Sequence, residues 1–160
     1  MSRGGADLAL LLLGGFRYMA EEAAVRLAAR GHPGVRPAHD FALRAVVGGA
    51  GSVSEVGRRT SVSKQAAAKT VAFLEDGGYV LRSPDPGDGR RVHLLVTDRG
   101  HSLMREGEAV FDELRVEWES LVGRDRVAEV HDSLVRLLGT GDAMLEALTG
   151  NVSAEDHTAE

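Results

Sequence analysis

The side chains best suited to chemistry in this chain sit in two short runs. In Ser63-Lys64-Gln65-Ala66-Ala67-Ala68-Lys69-Thr70, helical periodicity puts Lys64, Gln65, Ala68 and Lys69 on one side, with Ala67, Thr70, Val71 and Leu74 on the other. A glutamine amide can make a bidentate pair with adenine, and lysines can reach guanine or phosphate. Three consecutive alanines keep such a helix slim enough for close approach to a groove. Ser61 and Ser63 can donate to phosphates, and Ser63 can cap the helix at the same time. The second run, Pro84-Asp85-Pro86-Gly87-Asp88-Gly89, is dense in turn formers and is followed by Arg90 and Arg91. An arginine beyond such a tip can enter the narrow minor groove, where the potential is most negative. Strand alternation predicts that Arg90 and Arg91 point to opposite faces, which favours Arg90 as the groove residue, with Asp88 restraining one guanidinium. Arg58 and Arg59 suit phosphate better than bases. Alone, the first run reads sooner as a solvated helix face, and the alternative for the second is a solvated loop charge. Together they point to double-stranded DNA.

Several elements must position these residues. Ser52 with Glu55 forms a capping-box signature for a short helix, and Thr60-Ser61-Val62 is a tight turn. Ser63 then opens the helix that Gly77-Gly78 ends. Tyr79 to Ser83 and Arg91 to Val96 read as two strands around the turn formers. A helix-turn-helix followed by a wing has these parts in this order. Upstream, one helix runs from Asp7 to about Arg30, and a second from Pro37 to Val47. Downstream, Thr97-Asp98 caps a long fifth helix that breaks near Gly123. A last helix carries Val127, Val130, Leu134, Leu137, Leu138, Met144, Leu145 and Leu148, and Asn151 to Glu160 reads as a disordered tail. Leu8 to Leu13 is too short for a membrane span, which needs roughly 17–25 apolar residues, and reads as a buried helix.

The expected fold is therefore mainly α with a small β wing. Residues 1–34 form an N-terminal dimerisation helix, 35–97 a winged helix-turn-helix domain, 98–150 C-terminal dimerisation helices, and 151–160 the tail. The long amphipathic helices cannot all be covered by so small a middle domain, and a second copy of the same helices is the expected cover.

Composition narrows the function further. The 160 residues contain no cysteine, which excludes a disulfide framework and thiol chemistry and fits a cytoplasmic location. The net charge of −5 argues against indiscriminate coating of nucleic acid. Yet Arg58 to His93 holds seven cations against four anions, a local +3 that leaves −8 for the rest. That distribution would aim DNA at one face. The sequence contains no HExxH, no Walker A and no strand-mounted GxGxxG, so no enzyme, cofactor or metal is expected. The histidines share no ligand spacing, and His39 beside Asp40 is a lone weak hint.

Val62-Ser63-Lys64-Gln65-Ala66, Leu74-Glu75-Asp76-Gly77-Gly78-Tyr79-Val80 and Asp85-Pro86-Gly87-Asp88-Gly89-Arg90-Arg91 stand out, together with Leu94-Leu95-Val96-Thr97-Asp98-Arg99-Gly100. On these segments the chain, over about residues 6 to 149, resembles the MarR family of bacterial transcriptional regulators. The resemblance implies a homodimer shaped by terminal helices, a palindromic operator, usually repression, and often control by a small molecule. Gly57, Thr60, Ser61, Ala67 and Thr70 stand where such motifs commonly carry Ala, a large aliphatic, Gly, a β-branched aliphatic and Leu. Gly57 lets two helices approach closely but loses about 1 kcal/mol of helix propensity against Ala. The smaller side chains could each lose on the order of 1 kcal/mol of burial. A softer motif is expected, or one supported by Phe41, Phe73 and Leu74.

For a small-molecule site the candidates are Phe16, Met19, His39, Arg44 and Phe111, where the first, second and fifth helices meet the middle domain. Arg17 or Arg44 could pair with an acidic ligand, although plain core packing accounts for the same residues. Two other readings remain: a winged-helix protein-interaction module with weak or no DNA binding, and a dimeric binder of apolar ligands.

Overall fold

The computed structural model describes residues 4–139. Its elements are α1 (Gly5–Ala29), α2 (Pro37–Val47), α3 (Val53–Arg59), α4 (Lys64–Asp76), β1 (Val80–Pro84), β2 (Val92–Val96), α5 (Asp98–Val122) and α6 (Arg124–Leu138). The fold is mainly α with a two-stranded antiparallel wing, in which Val80 pairs with Val96 and Pro84 with Val92. Met144, Leu145, Leu148 and the tail fall outside the described residues.

Local chemistry explains the boundaries. Ser52 accepts from the Glu55 amide, and Glu55 returns a bond from the Ser52 amide, closing the expected capping box. Ser63 accepts from Ala66 N and Thr97 from Gly100 N, so α4 and α5 begin at hydroxyl caps. Both strands start one residue later than the sequence suggests. The Tyr79 amide is drawn back to the Leu74 carbonyl at 2.8 Å, so this residue completes the end of α4 and the ladder begins at Val80.

Leu43, Val56, Val71, Leu74, Tyr79, Leu103, Val110 and Leu114 are fully buried and bind the reading unit to α5. Gly57 supplies the close crossing of α3 and α4, since a Cβ there would lie 3.3 Å from both the Ala67 Cβ and the Val62 carbonyl oxygen. Gly57 and Ala67 are thus matched by close approach, and Leu74 in the core with Phe73 packed against it gives part of the support expected for the motif. Thr60 adds a hydroxyl bond to the Val56 carbonyl at 2.8 Å.

One expectation fails within a single chain. Leu8, Leu10, Leu11, Leu12 and Leu13 are all exposed on α1, not buried. Leu121, Val122, Val130, Leu137 and Leu138 are exposed on α5 and α6, and α6 buries no residue. Among the described residues α1 packs chiefly on α5, and its two buried residues, Ala23 and Leu27, lie in its C-terminal half. That half is clasped to α5 by Arg26 to Glu117 at 2.8 Å, Arg30 to Glu113 at 2.6 Å and stacking of Tyr18 on Trp118.

Candidate nucleic-acid interface

The amphipathic division of α4 holds in three dimensions. Ala67, Val71 and Leu74 are buried against α2 and α3, while Lys64, Gln65, Ala68 and Lys69 are exposed. Among the described residues, Lys64, Gln65 and Lys69 have no side-chain hydrogen-bond or ion-pair partner. Their polar groups can therefore meet a ligand without first breaking a bond. Ser61 sits in the tight turn at φ +52°, the left-handed region, and is the only non-glycine residue of positive φ among the described ones. It holds the place where such turns commonly carry glycine, and its hydroxyl faces solvent beside the helix N-terminus.

The wing tip is held by two aspartate turns. Asp85 Oδ1 accepts from Gly87 N at 2.8 Å, and Asp88 Oδ1 accepts from Arg90 N at 3.1 Å. Arg90 and Arg91 both precede β2, so the strand alternation expected to separate them does not act at these positions. Their difference comes from Asp88, whose second carboxylate oxygen lies 3.8 Å from Arg91 Nε and leaves the Arg90 guanidinium unpartnered among the described residues.

Other cations of the basic segment are already engaged. Arg82 is paired with Glu75 at 2.6 Å, which keeps its guanidinium charged. Arg59 Nη1 donates to the Gly48 carbonyl at 2.5 Å and closes the end of α2, an internal role in place of the phosphate contact expected of it. The cations left for a polyanion are Arg58, Lys64, Lys69 and Arg90, with Arg91 partly restrained.

Sequence reasoning missed the support behind this face. Arg99 donates to the carbonyls of Gly77 at 2.9 Å and Gly31 at 2.8 Å, and lies 4.8 Å over the ring of Tyr79. The Tyr79 hydroxyl meets Nδ1 of buried His32 at 3.1 Å, and His32 Nε2 faces Glu106 at 3.4 Å. Burial opposes the charge on Glu106, but hydrogen bonds from His32 and Ser102 win and hold its carboxyl below the usual range. This chain ties the ends of α1 and α4 to α5. No local motif reveals it, because its members are far apart in sequence.

Above the reading unit, α1, α2 and α5 line an open cavity of about 490 Å3. Phe16, Arg44 and Phe111 line it, as does Phe41. Met19 packs against the core instead, and Arg17 is not part of the lining. His39 also lies outside the cavity: it stacks on Phe73 with ring centroids 3.9 Å apart, and its Nδ1 accepts from the Arg36 amide at 2.8 Å. Burial, aided by the Arg36 charge, lowers its pKa below the ordinary histidine value. Arg44 Nε meets Asp40 at 2.7 Å, and Nη2 meets Glu108 at 3.3 Å. Burial works against the Arg44 charge, but these carboxylates outweigh it and raise the pKa. Among the described residues no group of His, Asp and Glu could hold a metal ion, and no helix is long and apolar enough to cross a membrane.

Comparison with known proteins agrees with this architecture. A model of the MarR family matches residues 35–91. The HTH-type transcriptional regulator BilQ of Clostridioides difficile is 25% identical over 87 residues, covering 54% of this chain and 56% of its own. The HTH-type transcriptional repressor Rv2887 of Mycobacterium tuberculosis is 37% identical over 59 residues, 37% of this chain and 42% of its own. The matches thus span about half the length of the curated relatives. Among solved structures, YusO of Bacillus subtilis has a TM-score of 0.62 at 22% identity, covering 82% of this chain and 92% of its own. Rv2887 in complex with p-aminosalicylic acid has a TM-score of 0.60 at 25% identity, covering 81% and 97%. In its motif order and its wing, and over residues 35–91 in particular, the chain is similar to the MarR family.

Proposed function

We propose that this protein is a non-enzymatic, sequence-specific DNA-binding transcriptional regulator, a cytoplasmic repressor that acts as a homodimer on a palindromic operator. The observation that carries this reading is the free polar face of α4, presented on a helix whose other face is locked into the core. Ser61, Ser63, Lys64, Gln65, Ala68 and Lys69 would meet the major groove and its flanking phosphates, and Arg90 and Arg91 the minor groove. The uncovered leucines of α1 and the apolar face of α6 support a homodimer, because exposed apolar surface of this extent calls for a partner. The regulator and repressor names of the relatives support the regulatory role. The cavity between α1, α2 and α5 is where a small molecule would act, by changing the spacing of the two reading helices.

The test is selection of random duplexes on the purified protein at about 100 mM salt, followed by sequencing. The expected product is a palindrome with half-sites one helical turn apart, about 34–36 Å. Lys64→Ala and Gln65→Ala should damage sequence preference, and Arg90→Ala should weaken binding more evenly. A folded dimer that enriches nothing, even at low salt, would favour a protein-interaction module, for which exposed Val62, Leu81, Val92 and Leu95 around the reading unit offer a surface.

A further inference from the structure

The chain has four phenylalanines, and three of them, Phe16, Phe41 and Phe111, line this cavity from α1, α2 and α5 between them. Aromatic residues are only 4% of the sequence, so this concentration sets the chemistry of the space. An aromatic ring carries a face of negative quadrupole, so a space lined by such rings favours a cation over an anion. The charges point the same way. Three carboxylates, Asp40, Glu108 and Asp112, stand against two guanidiniums, Arg36 and Arg44, in the lining. Arg44 is not free for an anion, because it is held between Asp40 at 2.7 Å and Glu108 at 3.3 Å. Arg36 is exposed at the rim and donates to the Val35 carbonyl at 3.3 Å. Asp112 meets Arg115 at 3.4 Å.

We infer that the cavity takes an apolar cation, an ammonium carried on an aromatic or aliphatic body, whose charge replaces the Arg44 guanidinium between Asp40 and Glu108 while the body lies among the three phenylalanines. This inference rests on the reading of the cavity as an effector site and gives that site a ligand class. It also supplies a physical coupling. Arg44 stands on α2, which packs on the reading helix α4, and Glu108 stands on α5. A ligand ammonium in its place exchanges the covalently anchored Arg44–Glu108 tie between the reading unit and the long helices for one made through the ligand, and frees the Arg44 side chain. An acidic ligand would have to leave Arg44 paired or expel Asp40 and Glu108 from it.

Three probes of one shape separate the charges: 4-phenylbutylamine, 4-phenylbutanol and 4-phenylbutyrate, titrated calorimetrically into the full chain at neutral pH. The amine should bind at least about tenfold more tightly than the butyrate, a difference that corresponds to one or more favourable charge contacts in a partly desolvated site. Arg44→Ala removes the competing cation and should tighten the amine severalfold. Glu108→Gln, at an exposed position that the fold does not need, should cut the preference for amine over butyrate while leaving the alcohol unchanged. A butyrate that binds best and is lost in Arg44→Ala would overturn the cation assignment and keep the effector site. Binding of the alcohol without preference for the amine would do the same. Failure of all three probes to bind a folded dimer would remove both the cation assignment and the effector site.

Discussion

Gly57 on α3 and Ala67 on α4 face each other so closely that a Cβ on the glycine would lie 3.3 Å from that of the alanine. The crossing is a matched pair of small residues, and it sets the depth at which the reading helix is seated. A larger residue at Gly57 meets the Val62 carbonyl oxygen as well, also at 3.3 Å from its Cβ, so α4 must give way. Gly57→Val should destabilise the protein by roughly 1–3 kcal/mol, as overpacking of a closed contact does, and denaturant unfolding measures it. DNA affinity should fall further than the lost stability accounts for, because the exposed face of α4 moves with its buried face. A variant as stable as the parent would show that the crossing is loose.

Ser61 offers the opposite change. Its φ of +52° costs an L-residue roughly 1–2 kcal/mol, while a glycine loses up to about 1 kcal/mol through its freer unfolded chain. Ser61→Gly should therefore raise stability by as much as about 1 kcal/mol, measured as a shift of the urea midpoint. The same variant loses a hydroxyl assigned to a phosphate, so its DNA affinity should fall slightly while its melting temperature rises. A drop in stability would mean that the hydroxyl supports the turn itself.

Gly100 tolerates no side chain. A Cβ there would collide with the Tyr79 carbonyl oxygen and lie 2.6 Å from Val96 Cγ1, both fixed by the junction of wing and α5. Backbone cannot swing aside as a flexible side chain can. Gly100→Ala should cost about 3 kcal/mol or more and yield largely unfolded protein, read by circular dichroism. A cooperative fold with unchanged melting would contradict the close approach.

His39 links acidity to stability. Its Nδ1 accepts the Arg36 amide hydrogen, so the ring must be unprotonated there while α2 is capped. Burial, then Arg36, lowers its pKa in the folded state below the ordinary 6.5. The unfolded chain thus takes up the proton first, and the stability this group confers is present above about pH 6.5 and is lost as pH falls below it. Melting temperature should decline on acidification from pH 7 through 6, before the carboxylates titrate. His39→Asn, which can accept the same bond without titrating, should flatten that part of the profile. An equal decline in both proteins would remove His39 from the linkage.

Local signals were enough for the order of elements. Hydroxyl caps at Ser52, Ser63 and Thr97 and the break at Gly123 sit where the helices start and stop, because caps satisfy backbone groups within three residues. The two faces of α4 were legible for the same reason, since a helix repeats every 3.6 residues wherever it packs. The strand starts, the reason that Arg90 parts from Arg91 and the role of Arg59 were not legible. Each depends on a bond that competes with the local pattern: Tyr79 to Leu74, Asp88 to Arg91, Arg59 to Gly48.

What the amino-acid order determined by itself is therefore the winged helix-turn-helix and the identity of its free polar face, both products of short-range periodicity and capping. Only the tertiary structure decided which cations remain free, which phenylalanines share a cavity, and that His39 caps a helix while Arg44 bridges two. Those outcomes rest on contacts between residues tens of positions apart, as in Arg44 with Glu108 and Arg99 with Gly31, and chain closure brings such residues together without leaving a mark on either neighbourhood. The leucines of α1 show the same division: their spacing predicted a buried face, but among the described residues nothing covers it.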